Sequence, residues 1–233
     1  MVEGIDVSRW QRKTPSLVGQ SFLFARASIG TVKDSMYETH IAKAKAAGVV
    51  TGAYHFNWDE DGNPATPDST PEEQARFFVK VAGSVNFLFL DVEGARAFEP
   101  AESRRFIAEV HRLGRKIGLY HSRSGFASWG QDYNWVAQWG SKPPVGIKWH
   151  FWQWTSKPWD RNKFNGDMTA LLRLAGTIPT PIVVKSVAVS AKILANLRRL
   201  ITNLALVARP TSAQRMKLAL YRKRLIEYTQ RGK

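Results

Sequence analysis

Five short apolar runs, GIDVS (4–8), FLFARAS (22–28), VVTGAYHF (49–56), FLFLDVE (87–93) and KIGLYHS (116–122), recur through the first half of this 233-residue chain. Each is rich in branched or aromatic residues, the composition of a strand. Stretches of helical character separate them. Helices are expected at about 35–47 (SMYETHIAKAKAA, stopped by Gly48), 70–82 (opened by the cap-like TPEE) and 100–113 (PAESRRFIAEVHRL, stopped by Gly114). Strand and helix in alternation argue for a parallel sheet, since parallel neighbours need a crossover and a helix supplies one.

After about residue 125 the rhythm changes. NWVAQWG (134–140) and KWHFWQWTS (148–156) read as strands, and a last short strand is expected near Trp159 to Asn162. The segments between these runs are too short and proline-bearing for crossover helices. The pattern fits an α/β fold: an irregular TIM-like barrel of about eight strands whose last strands lack their helices. An open doubly wound sheet would want a glycine-rich turn after its first strand, and the sequence contains neither GxGxxG nor a Walker motif. Hydrophobic residues at 44%, with 9 Trp, 12 Phe and 6 Tyr, are enough for a large core.

Several function classes are disfavoured. With no cysteine there is neither a disulfide framework nor a thiolate zinc site. The histidines (His40, His55, His111, His121 and His150) lack metal-ligand spacing, so no metal and no cofactor is expected. MVEGIDVSRWQ carries no basic leader, apolar h-region or small-residue cleavage site, and no window is apolar enough to span a membrane. A soluble product made in the cytoplasm is expected.

The FLFLDVE run ends in two carboxylates. Asp91 and Glu93 lie two positions apart, so on an extended strand both leave one face, with Cα atoms about 6 to 7 Å apart. The other runs also end in polar or aromatic residues: Asp6 in GIDVS, Tyr54 in GAYHF, Tyr120 in GLYHS, Gln138 and Trp139 in WVAQWG, and Gln153 and Trp154 in FWQWTS, with Asp160 opening the last strand. A barrel builds its active site at the carboxyl ends of its strands. Acids and aromatics gathered there suit glycoside hydrolysis, in which one carboxylic acid protonates the leaving oxygen and a second negative group stabilises the anomeric carbon. Asp91 and Glu93 can divide those tasks, the Asp91 carboxylate and partial burial raising the pKa of Glu93. Tyr54, Trp139 and Trp154 can stack on sugar rings. A lone DxE pair is weak by itself and commonly means a solvated strand end; Asp6 and Asp160 have alternative readings as turn caps.

Taken in order, GIDVSRWQ, FARAS, GAYHF, FLDVE, GLYHS, WVAQW, FWQWTS and DRNKFNGD resemble the family 25 glycoside hydrolases over residues 4 to about 168. These are the Chalaropsis-type lysozymes, common as phage endolysins, which cleave peptidoglycan between N-acetylmuramic acid and N-acetylglucosamine. The resemblance implies a barrel of eight strands and five helices. It also implies that Glu93 is the proton donor, Asp91 its partner, and Asp6 and Asp160 the other acids of the pocket. Asp91 is then either the nucleophile or the group that orients the substrate's own 2-acetamido group. The second is favoured, because both acids leave one side of the strand, an awkward arrangement for attack from the opposite face. The chain departs from the pattern at Trp139 and Trp154, where tyrosine is usual, and at Trp159, where a smaller residue is typical. A phage endolysin is expected, held in the cytoplasm of the infected host until release to the wall.

Two other classes are weighed. Chitinase-like barrels of family 18 end their fourth strand in DxDxE, which would need aspartate where this chain has Phe89. A non-catalytic wall-binding barrel would be expected to have lost Asp91 or Glu93, and both are present.

The net charge of +15 is uneven: residues 177–233 hold 12 of the 34 Lys and Arg but only one of the 19 acids, Glu227. The shift coincides with TIPTPIVV, where Pro179 and Pro181 favour an extended linker. The expected domains are thus a catalytic barrel at 1–176, a linker at 177–184 and a basic helical hairpin at 185–233. Ile193, Leu197, Leu200, Leu204 and Val207 form one helix face, and Leu218, Tyr221, Leu225 and Tyr228 another over about 212–230, with Arg209-Pro210 as the break. Such a tail either packs, on the barrel or on a second copy of the chain, or attaches to anionic envelope polymers or lipids. Nucleic acid is not the expected partner, since the tail carries no recognised nucleic-acid motif.

Overall fold

The computed structural model describes residues 1–57, 69–94, 97–178 and 191–205. The chain divides into two compact units, Met1–Thr180 and Pro181–Lys233.

In the first unit the strands are β1 (Val2–Val7), β2 (Phe22–Ile29), β3 (Val32–Lys33), β4 (Val50–Phe56), β5 (Phe87–Asp91), β6 (Gly118–Ser122), β7 (Tyr133–Ala137), β8 (Phe151–Thr155) and β9 (Arg161–Phe164). The helices are α1 (Tyr37–Ala46), α2 (Pro71–Ala82), α3 (Pro100–Arg112) and α4 (Met168–Leu174), with a 3-10 turn at Arg123–Gly125. The hydrogen-bonded order β1-β9-β8-β7-β6-β5-β4-β2 closes through a β1–β2 pairing, so eight strands make a barrel and β3 is a short flap on β2. Strands β1, β2 and β4 to β8 pair in parallel; β9 runs antiparallel to both neighbours, β1 and β8. The mixed α/β barrel expected from the sequence is therefore the fold, with two corrections. The last strand lies at 161–164 rather than 159–162, and it closes the ring in the reverse direction.

Local chemistry accounts for the helix starts. Thr70 caps α2: its Oγ1 accepts from the Glu73 amide at 3.3 Å, and the Glu73 carboxylate accepts from the Thr70 amide at 2.8 Å. Pro71 and Pro100 occupy the first turns of α2 and α3, where a missing N–H costs nothing. The buried residues of these helices, including Phe78, Ala82, Phe106 and Val110, pack with Leu23, Leu88 and Leu90 of the sheet.

Along β5 the side chains alternate with the pleat. Leu88, Leu90 and Val92 belong to the layer between sheet and helices, whereas Phe87 and Phe89 belong to the interior cluster with Phe22, Phe24, Trp135 and Phe151. Phe24 sits at the centre, its ring centroid 4.9 Å from Phe22, 4.8 Å from Phe89, 5.1 Å from Trp135 and 4.9 Å from Phe151, tilted or edge-on to each. Glycine at the matching inward position of three strands makes room. A Cβ on Gly4 would lie 2.4 Å from the Phe22 ring, on Gly52 2.5 Å from Phe24, and on Gly118 2.4 Å from Phe89. Large rings face bare backbone, which fills a narrow barrel to its axis.

In the second unit, α5 (Ala191–Ala205) lies within the stretch expected to form the first tail helix. The expected helix at 212–230, the break at Arg209-Pro210 and most of the linker lie outside the described residues.

Candidate active site

One inward position beyond the floor, six of the barrel strands turn polar. Gly4 is followed by Asp6, Phe24 by Arg26, Gly52 by Tyr54, Phe89 by Asp91, Gly118 by Tyr120 and Phe151 by Gln153. All six of these polar residues line one cleft of about 470 Å³ at the carboxyl ends of the parallel strands. Glu93 lies two residues past Asp91, just beyond the strand end, where the Val92 amide still donates to the Tyr120 carbonyl at 3.0 Å. Asp160 reaches the same rim because β9 is antiparallel, so its opening residue, rather than its last, is at the carboxyl side. The Asp6 amide donates to the Asp160 carbonyl at 3.3 Å and fixes that junction.

The cleft thus joins eight of the residues singled out from sequence: Asp6, Tyr54, Asp91, Glu93, Tyr120, Trp139, Gln153 and Asp160. Two others are turned elsewhere. Trp154 neighbours the inward Gln153 and so faces out, where Lys163 lies 4.6 Å and Arg161 5.1 Å from its ring centroid. Gln138 lies past the end of β7, and its amide donates to the Lys142 carbonyl at 3.0 Å. Trp139 is 69% exposed at the cleft, its indole N–H directed to Gln153 Oε1 at 3.3 Å. Burial of Glu93 was also expected; its side chain is exposed, and the buried member of the pair is Asp91.

A chain of amides and aromatics positions Asp6. Its Oδ2 accepts from Asn162 Nδ2 at 2.7 Å and from Gln153 Nε2 at 3.1 Å. Asn162 in turn accepts from the Trp135 indole at 2.7 Å, and Gln153 from the Tyr120 hydroxyl at 2.9 Å. Burial is the main force on its ionisation. It pushes the Asp6 carboxyl up to about 8, with Asp160 and Glu93 adding to the rise and the two amide donors opposing it. Burial likewise raises Asp91 well above the usual carboxylate range; Glu93, Asp6 and Asp160 push the same way and Arg26 pulls down. Asp160 is raised by burial, and the Tyr54 and Tyr120 phenols are held neutral chiefly by theirs. Asp91 Oδ1 is buried with no hydrogen-bond partner among the described residues. Among the described residues no group of three or more His, Cys, Asp or Glu is arranged to hold a metal ion.

Sequence reasoning passed over Trp135, Asn162, Arg26 and Asp34. Of these, Arg26 carried a visible signal, a charged residue inside the apolar run FLFARAS. His55, by contrast, belongs to the helix side of the sheet. It bonds Ser28 Oγ and Gln74 Oε1, each at 2.9 Å, and stacks on Phe106, and burial lowers its pKa to about 3.

A cleft lined by four carboxyl groups and exposed aromatics at a barrel rim can polarise and protonate an ether-like bond of a sugar chain. Comparison with known proteins points the same way. A family model described as glycosyl hydrolases family 25 matches residues 5–162. The chain is similar to Lysozyme M1 of Streptomyces globisporus, 31% identical over 217 residues that cover 75% of this chain and 71% of that protein. A family GH25 lysozyme from Aspergillus fumigatus matches with TM-score 0.63 and 28% identity, covering 75% of this chain and 98% of that one. A muramidase from Trichobolus zukalii shares the fold, with TM-score 0.62 and 24% identity over 76% of this chain and all of that one.

Proposed function

The chain belongs to the glycosyl hydrolases of family 25, and from that footing we propose that it is an N-acetylmuramidase, cleaving the β-1,4 bond between N-acetylmuramic acid and N-acetylglucosamine in bacterial peptidoglycan. The observation that carries this reading is the pair Asp91 and Glu93 at the end of β5, one buried and one exposed, in a single cleft with Asp6 and Asp160.

In this reading Glu93, at the open edge of the cleft, delivers its proton to the leaving glycosidic oxygen. Asp91 as an anion accepts the N–H of the 2-acetamido group on Oδ1, which has no hydrogen-bond partner among the described residues. The acetamido oxygen attacks the anomeric carbon as the glycosidic bond breaks, giving a cyclic intermediate. Water, giving up its proton to the Glu93 carboxylate, then opens that ring. Asp6, tied to Asn162 and Gln153, shapes the sugar pocket, and Trp139 offers an exposed face to a ring. Digesting purified peptidoglycan should create new N-acetylmuramic acid reducing ends; new N-acetylglucosamine ends or cleaved amide bonds would overturn the assignment.

The finer proposal is a phage endolysin, held in the host cytoplasm until lysis, whose tail of 12 cations and one acid holds it to an anionic envelope. Removing residues 177–233 should weaken binding to whole cells, and more so at low salt than at high salt. An affinity independent of both the tail and salt would count against it.

A further inference from the structure

The cleft is strongly acidic, and among the described residues that line it Arg26 is the one cation. Arg26 stands one inward position beyond Phe24 on β2 and is only 8% exposed. Its Nε donates to Asp34 Oδ2 at 2.8 Å. Asp34, 2% exposed, follows the β2–β3 flap and also accepts from the backbone amides of Arg9 at 3.0 Å and Met36 at 2.9 Å. These bonds fix one edge of the guanidinium. Among the described residues its Nη2 is buried without a partner, as is Asp91 Oδ1 in the same cleft.

The charged and titratable groups around Asp91 are Glu93 beyond its own strand, Asp6 of β1, Asp160 at the start of β9, Tyr54 of β4, Tyr120 of β6 and Arg26 of β2. Among the described residues around Asp91 only Arg26 is positive, and an arginine keeps its charge at any working pH.

We propose that Arg26 is a positioning residue for the hydrolysis: locked by Asp34, its guanidinium favours the anionic form of Asp91, the form able to accept the acetamido N–H. The inference rests on the role given to Asp91 above. The flap β3 and the loop after it then have a purpose, since they carry the carboxylate that holds Arg26 in place. The pull of Arg26 on Asp91, against burial and three neighbouring acids, runs in the required direction.

The test is the pH dependence of kcat/KM on purified peptidoglycan, whose acid limb reports ionisation of Asp91. Arg26→Gln should move that limb upward by about one pH unit, as expected for loss of a nearby opposite charge. Arg26→Lys, which keeps the charge, should leave it close to wild type. Asp34→Asn should move it downward, because the guanidinium then acts on Asp91 without a counter-charge. Opposite shifts in Arg26→Gln and Asp34→Asn are something general loosening of the cleft cannot produce. An unmoved limb in Arg26→Gln, or a shift in the same direction for both variants, overturns the proposal. Should Arg26→Gln not fold, the Asp34→Asn limb decides, and anything but a downward move overturns it. Asp91→Asn is run beside them. If it keeps wild-type turnover, the role of Asp91 itself fails, whereas an inactive Asp91→Asn with an unmoved Arg26→Gln limb sinks this inference alone.

Discussion

Up to the level of Phe24 and Phe89 the barrel interior is mostly hydrocarbon, six phenylalanine rings and a tryptophan packed over three glycines. One inward position further along the same strands it is a cluster of ionisable groups, with Asp6, Arg26 and Asp91 all buried. The two regions share backbone and pleat and differ only in which residue occupies the next inward site. The floor holds the strand ends at fixed spacing, and the rim uses that spacing to hold carboxyls where burial and mutual repulsion oppose their charge. Stability and chemistry are therefore separable by position along a single strand.

The largest expected effect divides them most sharply. Glu93→Gln should lower kcat by roughly 10³-fold, the scale of a lost general acid. Because Glu93 is exposed, its thermal midpoint should stay near wild type; a variant with near-normal turnover would refute the acid role. Phe24→Ala is the converse. Removing a fully buried ring should cost about 3 kcal/mol or more in denaturant unfolding, while the folded fraction keeps its pH profile. A Phe24→Ala enzyme of unchanged stability would break the distinction between floor and rim.

The third effect is a slope. With its pKa raised from 3.8 to about 8, Asp6 keeps its proton in the folded chain over a range where the unfolded chain has lost it. The folded state then binds more protons, so this group's contribution is fully present below about 3.8 and is lost as pH rises through about 8. Asp6→Asn should flatten the fall in unfolding free energy between pH 5 and pH 8, and an unchanged slope would show that Asp6 ionises freely. Glu109 on α3 makes the opposite case. Arg112 and Arg76 hold its carboxyl down to about 2, so its contribution is present above its usual value of 4.5 and is lost as pH falls toward 2.

What could be read from the sequence follows the same division. The strands of the floor were visible because burial on both faces leaves a continuous apolar run, and FLFLDVE carried both floor and rim in one stretch. Period two also fixed the common face of Asp91 and Glu93. Strand β9 was harder: RNKF is short and alternates charged with buried residues, and nothing in four residues states the direction in which they pair. Gln138 and Trp154 were misplaced because a polar or aromatic residue near a strand end has the right chemistry on either face, and only the phase of the pleat tells which. Helix α4, seven residues capped by Asp167, is too short for its periodicity to stand out. Arg26 showed as a charge inside an apolar run, but its role did not, since that depends on Asp34, and on Asp91 two strands away in the ring.

The antiparallel closure by β9 has a consequence in time. Strand β1 pairs with β9 from Val2↔Phe164 to Ile5↔Arg161, and Asp6 takes both Asn162 and the Asp160 carbonyl as partners. The two ends of the barrel sequence must meet before the pocket exists, a contact between residues about 160 positions apart, and such non-local pairings are slow to form. A chain still emerging from the ribosome has Asp91 and Glu93 but no finished cleft. The cell that makes this hydrolase is thereby handed an active enzyme only when the catalytic unit is complete.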